Sequence, residues 1–365
     1  MNTDILNDYV KDSPEYKVGL TMDDVREDYF LADFRDDICK MNENENLLGV
    51  SPKAMEAMKK NLETINYYPE GTGKAVRRKL VARYGLTEYN YLITEGASVA
   101  LNLIGEVFLK PGEEVIIPSQ TYGAYKNVTK RYKGVPVIAQ NKADKSIDLQ
   151  AVLDKITDKT RLIFICNPNN PTGMSCDDTE LLEFIRKVPE DIIVVIDEAY
   201  FQFIRKPDYK TAVEAIEEEH CHTIVVRTFS KVYGMAGARI GYIVSSLEIV
   251  RYMSRMVNYF CTNKLALIGA AAALDDAEFE QKTLTTVATE REYLTEAFEQ
   301  MGYYVCPSDT NFIFVDFRRD AHLLCDALQK QGIILRGDYD FVRISIGTRK
   351  QNERVVSELT RYLKD

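Results

Sequence analysis

The stretch Arg227-Thr-Phe-Ser-Lys231-Val-Tyr-Gly234-Met-Ala-Gly237-Ala-Arg239-Ile-Gly241-Tyr242 decides how the rest of the chain reads. It sets one amine, Lys231, beside two hydroxyls, Thr228 and Ser230, and a guanidinium, Arg239, follows eight residues on. A lysine that forms an imine needs nearby charge to lower its pKa and surroundings that hold it still. A phosphate needs hydroxyls, backbone N–H groups and a fork-shaped cation. The stretch supplies both sets, which points to a Schiff-base lysine beside a phosphate site. The plainer reading is a glycine-rich surface loop carrying an ordinary lysine. Gly234 and Gly237 are expected to let the segment between Lys231 and Arg239 fold tightly.

The strand that leads into this stretch, Thr223–Arg227, is one of a series. Apolar runs at 91–94, 114–118, 135–139, 160–166, 192–196 and 240–244 alternate with helical segments at 99–109, 122–131, 149–156 and 178–188. Such strands lack the in–out alternation of a half-exposed sheet. They predict an α/β fold with a mainly parallel sheet flanked by helices on both faces. In such a sheet ligands bind at the carboxyl ends of the strands. Upstream, Ser51-Pro52 is an N-cap followed by proline and predicts a helix to about Leu62. A basic helix is expected to end at Tyr84. Downstream, residues 245–300 are mostly helical, with strands at 311–316, 333–335 and 341–346 and helices at 322–331 and 351–363. This predicts a smaller α+β domain built from N- and C-terminal segments: an N-terminal arm over 1–45, a large domain over 46–255 and a small domain over 256–365.

Composition bounds the function. The 365-residue chain is 45% hydrophobic and 28% charged, as in a soluble globular protein. Its net charge of -10, with no basic patch, argues against a nucleic-acid partner. Seven scattered cysteines without a C-x-x-C pair argue against a disulfide framework or a zinc site and suit a reducing compartment. His220-Cys-His222 follows an acidic run and reads as a loop into a strand, so no metal is expected. The acidic, polar N-terminus does not read as a signal peptide, and no apolar run reaches the ~18 residues of a membrane span. A cytoplasmic location is the expectation.

Three further loops fall at predicted strand ends. Gly96-Ala97-Ser98 opens a helix, where backbone N–H groups and a hydroxyl can hold an anion; many such turns only cap a helix. Asn167-Pro-Asn-Asn170-Pro171-Thr-Gly173 places an asparagine that can donate to a ligand oxygen, though the same residues build plain turns. Asp197-Glu-Ala-Tyr200 follows an apolar strand. A carboxylate there is partly buried and needs a cationic partner, for which a protonated heteroaromatic nitrogen would serve. Alternatively, Asp197 caps the next helix.

Taken together, these motifs resemble the fold-type I enzymes dependent on pyridoxal phosphate (PLP), and within them the histidinol-phosphate aminotransferase group of the class I/II aminotransferases. The resemblance covers roughly residues 14–360. It implies that Lys231 forms the imine with PLP and moves the proton between substrate Cα and cofactor C4′. Asp197 would keep the pyridine nitrogen protonated, so that the ring accepts electrons. Asn170 and Tyr200 would bond the cofactor's 3′ oxygen, and Tyr122 would stack on the ring. The phosphate would take the turn at Gly96, with the amides of Ala97 and Ser98, the hydroxyls of Thr228 and Ser230, and Arg239. Tyr68 would reach the phosphate of a neighbouring subunit, which implies a homodimer with shared active sites. Arg343 would bind a substrate carboxylate or other anion, with Arg336 as a second anion contact. Asn46, in the entrance loop Asn44-Glu-Asn46, and Tyr16 match substrate-side positions.

The sequence departs from the family's pattern at Leu47, Leu48 and Val18, where prolines or an aromatic are usual, and in the loop 70–73. All of these lie toward the substrate side. The resemblance therefore implies an aminotransferase that moves an amino group between a small amine, histidinol phosphate or an amino acid, and a 2-oxo acid such as 2-oxoglutarate. Other PLP chemistries on the same scaffold remain open: an aromatic aminotransferase, a phosphothreonine decarboxylase or an amino-acid oxidase. So does a non-catalytic binding module.

Overall fold

The computed structural model describes residue 20 and residues 38–217 and 222–364. Tyr16, the weak helical signal around 23–35, His220 and Cys221 lie outside them. The first half supplies strands β1 (Cys39–Lys40), β2 (Tyr91–Thr94), β3 (Glu114–Pro118), β4 (Val135–Ala139), β5 (Thr160–Cys166) and β6 (Ile193–Asp197). Helices α1 (Pro52–Lys60), α2 (Lys74–Tyr84), α3 (Ala97–Phe108), α4 (Ala124–Arg131), α5 (Leu149–Leu153), α6 (Asp178–Lys187) and α7 (Val213–Glu217) lie between or after them. Strands β7 (Thr223–Thr228) and β8 (Gly241–Ser245) complete the large sheet.

The large sheet has seven strands in the order β2-β8-β7-β6-β5-β3-β4. Pairs from β4 across to β7 are parallel, whereas β8 runs antiparallel to both β7 and β2. Two reversals return β2 to the direction of β7. The carboxyl ends of β2, β5, β6 and β7 therefore share one edge. Gly241 marks that edge, paired with Thr94 on one side and Thr228 on the other. The expected α/β fold is borne out. β5 and β6 are apolar because both faces are covered: Ile163, Phe164, Val194, Val195 and Ile196 are fully buried. Burying each such side chain contributes about 1.5–3 kcal/mol.

The helix ends follow local chemistry. Ser51 accepts from the Ala54 N–H and Pro52 opens α1. Asp177 caps α6 through the N–H groups of Thr179 and Glu180, with acids in the first turn and Arg186 and Lys187 in the last. The helix expected from Tyr122 begins at Ala124, so Tyr122 stays in the turn between β3 and α4.

The C-terminal part contains α8 (Leu247–Met253), α9 (Lys264–Ala273), α10 (Ala277–Gln300), β9 (Tyr304–Val305), β10 (Phe312–Asp316), α11 (Ala321–Gln329), β11 (Ile333–Ile334), β12 (Val342–Ser345) and α12 (Arg349–Lys364). β9, β10 and β12 make an antiparallel sheet, and β1 pairs in parallel with β11. The segment after β1 is tied to the same unit, since Ser345 N–H donates to Met41 O at 2.9 Å. It then crosses to the edge of the large sheet. α9 packs on α1 and α2. Gly269 permits this: a Cβ there would meet Met235 Cε at 2.9 Å and Met58 at 3.0 Å.

Candidate active site

Where the segment Glu43–Glu45 crosses the strand ends, it roofs a cavity of about 280 Å³. Ala97, Ser98, Tyr122, Asn170, Asp197, Tyr200, Thr228, Ser230, Lys231, Arg239, Arg336 and Arg343 all line it. The residues come from six places in the sequence: those from 97 to 239 meet because the topology puts their strand ends on one edge, and Arg336 and Arg343 come from the C-terminal part.

Asp197 ends β6 and is 3% exposed. Its Oδ2 accepts from Tyr125 Oη at 2.9 Å and its Oδ1 from the Ala199 N–H at 3.1 Å. It has no salt bridge among the described residues. Burial pushes its pKa up to about 6, against the pull of those two hydrogen bonds. Asp197 thus caps a tight turn with one oxygen while its side chain lines the cavity. The next residue points the other way. Glu198 Oε2 accepts from Arg227 Nε at 2.9 Å and Nη2 at 2.7 Å, with both side chains within 1% of full burial. The Arg227 guanidinium also lies 3.8 Å from the Phe201 ring centroid.

Lys231 Nζ donates to the carbonyl oxygens of Glu43 at 3.1 Å and Asn44 at 3.0 Å. Burial, then the positive charge of Arg343, lowers its pKa to about 8, with Arg239 adding to the effect and Glu43 and Glu45 opposing it. The segment that follows is tight at Gly234. Its φ is +67°, and a Cβ there would lie 1.9 Å from the Gly49 carbonyl oxygen. Gly237 does not share this role: its φ is ordinary and a Cβ would meet nothing within 4 Å. The second close approach is at Gly241, where a Cβ would meet Arg227 O at 2.7 Å and Ala97 N at 3.0 Å.

The anion end of the cavity is built around that approach. Gly96, at φ +91°, precedes the first turn of α3, and a Cβ on it would meet Arg239 Nη2 at 2.9 Å. Arg239 Nη1 donates to Ala236 O at 2.8 Å, which aims the guanidinium. Thr228 Oγ1 donates to Ser230 Oγ at 2.9 Å and accepts from the Ser230 N–H at 3.1 Å. A helix N-terminus, two hydroxyls and a guanidinium beside a side-chain-free backbone are groups that could hold a phosphate.

At the opposite end, Arg343 Nη1 donates to Asn170 Oδ1 at 2.6 Å, and Arg343 Nη2 to Asn42 O. A guanidinium only donates, so Asn170 turns its NH₂ away from Arg343 and keeps it for another acceptor. Arg336 Nη1 donates to Glu43 Oε1 at 2.6 Å, and its Nε lies 2.7 Å from Asp338 Oδ2. Tyr122 stands edge-on to Tyr125 at 5.6 Å between centroids.

Two residues singled out in the sequence lie elsewhere. Asn46 does not line the cavity: its Nδ2 donates to Val232 O at 2.9 Å and Thr283 Oγ1 at 3.3 Å, and its Oδ1 accepts from the Leu48 N–H. Asn44, two residues earlier, takes the cavity position because the segment reverses between them, with Asn44 at φ +55°. Tyr68 is 83% exposed and packs on Phe260, 5.2 Å between centroids, away from the cavity of its own chain. Sequence reasoning missed Tyr125, Asn44, Glu43 and the Glu198–Arg227 pair. Strand alternation carries a signal for that pair: if Asp197 faces the ligand, Glu198 must face away and needs a cation.

Among the described residues no metal-holding cluster occurs, and no helix is long and apolar enough to cross a membrane. The cavity fits PLP by its chemistry. It offers a lysine of lowered pKa, a buried carboxylate that lacks a cation, and a cradle that any Cβ at 96 would fill.

This set of groups, on this sheet, defines the fold-type I architecture of PLP-dependent enzymes. The family model for aminotransferase class I and II matches residues 36–359. The chain is 36% identical over 332 residues to a histidinol-phosphate aminotransferase of Moorella thermoacetica, covering 90% of this chain and 86% of the relative. It is 33% identical over 361 residues to one from Geobacillus thermodenitrificans, covering 96% of each. Among solved structures, histidinol-phosphate aminotransferase of Sinorhizobium meliloti in complex with pyridoxal-5'-phosphate superposes with a TM-score of 0.89 at 23% identity, over 99% of this chain and 98% of that one. A double mutant of Thermus thermophilus aspartate aminotransferase gives 0.82 at 23% identity, over 98% and 99%. The chain belongs to the class I and II aminotransferases, and its chemistry is PLP-dependent transamination.

Proposed function

We propose that the amino donor is histidinol phosphate and the acceptor 2-oxoglutarate. The observation that carries this reading is the pairing of Arg336 and Arg343. Arg336 N–H donates to Arg343 O at 3.2 Å and Arg343 N–H to Arg336 O at 2.9 Å. Directly paired residues on antiparallel segments present their side chains to the same face. Two guanidiniums therefore serve one end of the cavity, which suits a dianionic phosphate. The relatives named for histidinol phosphate support the same donor.

Bound PLP supplies a sink for the electrons released at substrate Cα. The chain's residues take the following roles in this reading. Lys231 Nζ, with its pKa near 8, is neutral often enough near neutral pH to take the proton from Cα and return it. Asp197 holds a proton on the pyridine nitrogen. Asn170 and Tyr200 bond the ring oxygen, and Tyr122 covers the ring face. The Ala97 and Ser98 amides, Thr228, Ser230 and Arg239 hold the phosphate. Tyr68 serves the cavity of a second copy, which makes the working unit a homodimer. Its 83% exposure in one chain supports this. Residues 46–255 form the cofactor unit, and 1–45 with 256–365 the smaller one. The six described cysteines are free thiols, which supports a cytoplasmic setting.

The test is a half-reaction. PLP-loaded protein should lose its visible band with histidinol phosphate and regain it with 2-oxoglutarate. If histidinol phosphate leaves the spectrum unchanged while an amino acid shifts it, the donor assignment is wrong. Sedimentation should show a dimer, and an active monomer removes the role of Tyr68.

A further inference from the structure

Asn44 is 1% exposed and sits in the left-handed region at φ +55°, where asparagine is among the few residues tolerated. All of its polar groups are engaged. Its backbone N–H donates to Ser345 Oγ at 2.9 Å. Its carbonyl accepts from Asn311 Nδ2 at 3.0 Å and from Lys231 Nζ at 3.0 Å. Its side-chain Oδ1 accepts from Ser345 Oγ at 3.1 Å, and its Nδ2 donates to Tyr200 Oη at 3.1 Å.

The direction of each bond follows from the donor inventory. A serine hydroxyl has one proton. Ser345 Oγ accepts the Asn44 N–H, so its proton goes to the side-chain oxygen of Asn44. That fixes the amide, and Nδ2 faces Tyr200. An amide NH₂ only donates, so Tyr200 Oη must accept there. Among the described residues Asn44 is the sole hydrogen-bond partner of Tyr200 Oη. The one phenolic proton is left to point into the cavity.

We infer that Asn44 is a positioning residue that orients the Tyr200 hydroxyl. By filling an acceptor site of Tyr200 it directs the O–H at the ring oxygen of the cofactor, and so keeps the lysine-bound cofactor's protonation equilibrium low. Ser345 sets the amide and Tyr200 delivers the effect. Segment 42–46 and β12 thereby act on Tyr200 through hydrogen bonds within the chain. The inference rests on the proposed role of Tyr200 at the ring oxygen.

The test is a pH titration of the visible absorption of PLP-loaded protein, with thermal melts to check folding. Asn44→Asp keeps the size and the tolerance of φ +55°, but its carboxylate accepts from Tyr200 and turns the phenolic proton away from the ring. The spectroscopic pKa should rise by about one unit, a ten-fold change in the equilibrium. Tyr200→Phe should raise it comparably, and Asn44→Asp in the Tyr200→Phe background should add little. Ser345→Ala frees the amide to rotate and should give a smaller rise. It carries the test alone if the Asp variant does not fold. A spectroscopic pKa unchanged in folded N44D, or in S345A where N44D does not fold, overturns the inference. So does an equal rise from N44D with and without the Tyr200 hydroxyl, which would mean the carboxylate acts by charge alone. If Tyr200→Phe itself leaves the titration unmoved, the ring-oxygen role of Tyr200 fails instead.

Discussion

Tyr125 Oη donates to Asp197 Oδ2 at 2.9 Å, and the Tyr125 ring is itself stacked on Phe164 with an interplanar angle of 2°. The tyrosine is thereby held still, and it holds the carboxylate. Tyr125→Phe keeps the stack and removes the donor. Losing a hydrogen bond to a buried charged group costs roughly 1.5–3 kcal/mol. PLP affinity should therefore fall about ten-fold or more. Equilibrium binding of PLP checks this, and an unchanged dissociation constant would remove Tyr125 from the site.

The raised pKa of Asp197 makes a prediction for the PLP-free protein. Burial moves this carboxyl from 3.8 to about 6. Between those values the folded chain holds a proton that the unfolded chain has released. Stability therefore falls as pH rises through this window, and the full cost is present above it. Asp197→Asn removes the cost. Without PLP the variant should be more stable than the parent near neutral pH, by on the order of 1–3 kcal/mol. The advantage should shrink as pH falls toward 3.8, the ordinary value of the carboxyl. With PLP the order should reverse, because asparagine offers no charge to the pyridine nitrogen. Denaturant melts at acidic and neutral pH, with and without PLP, decide it.

The two glycines between Lys231 and Arg239 separate cleanly. Gly234→Ala drives a Cβ to 1.9 Å from a backbone oxygen at a φ of +67°, and neither partner can give way. It should destabilise the protein by roughly 3 kcal/mol or more. Gly237→Ala meets open space and should stay within about 0.5 kcal/mol of the parent. Thermal melts of both variants test the pair, and equal losses would mean that the approach to Gly49 is not what constrains this loop.

The same glycines show what the sequence could and could not reveal. The parallel sheet was legible because β5 and β6 are uniformly apolar, and a strand buried on both faces cannot hide that. That these groups would line one cavity was legible because they follow strand ends that share an edge. What remained illegible depends on long-range packing. That Gly234 rather than Gly237 is crowded depends on Gly49, far away in sequence. Asn44 takes the cavity position instead of Asn46 because the backbone turns at Asn44, and nothing within Asn-Glu-Asn distinguishes the two. Tyr125 lies within a helix whose inward face is set only when β5 supplies Phe164.

Beneath the site, the Glu198–Arg227 pair is fully buried, with two Arg227 N–H groups donating to one Glu198 oxygen and the other oxygen accepting from the Ala212 N–H at 2.8 Å. Taking away one partner leaves the other charged and dry, at a cost of about 3–5 kcal/mol. Glu198→Leu and Arg227→Met should each destabilise by that order. The double variant Glu198→Leu with Arg227→Met should lose much less than the sum. Additive losses in a double-mutant cycle would show that the two side chains do not depend on each other.

At the mouth of the cavity, Arg336 carries two carboxylates, Glu43 at 2.6 Å and Asp338 at 2.7 Å. A substrate anion that approaches this guanidinium must displace one of them. Glu43 is the one that lines the cavity. Glu43→Gln keeps its shape and one acceptor but removes the charge. The pair is partly exposed, so its worth is about 0.2–1 kcal/mol after solvent screening. KM for a phosphate-bearing donor should then fall by up to about five-fold, with kcat little changed. The gain should narrow as salt is raised, because screening weakens the competing carboxylate in the parent. Steady-state kinetics at low and high ionic strength measure both effects. A KM that rises instead would mean that Glu43 receives a hydrogen bond from the donor itself, and that its charge selects the substrate rather than holding Arg336 back.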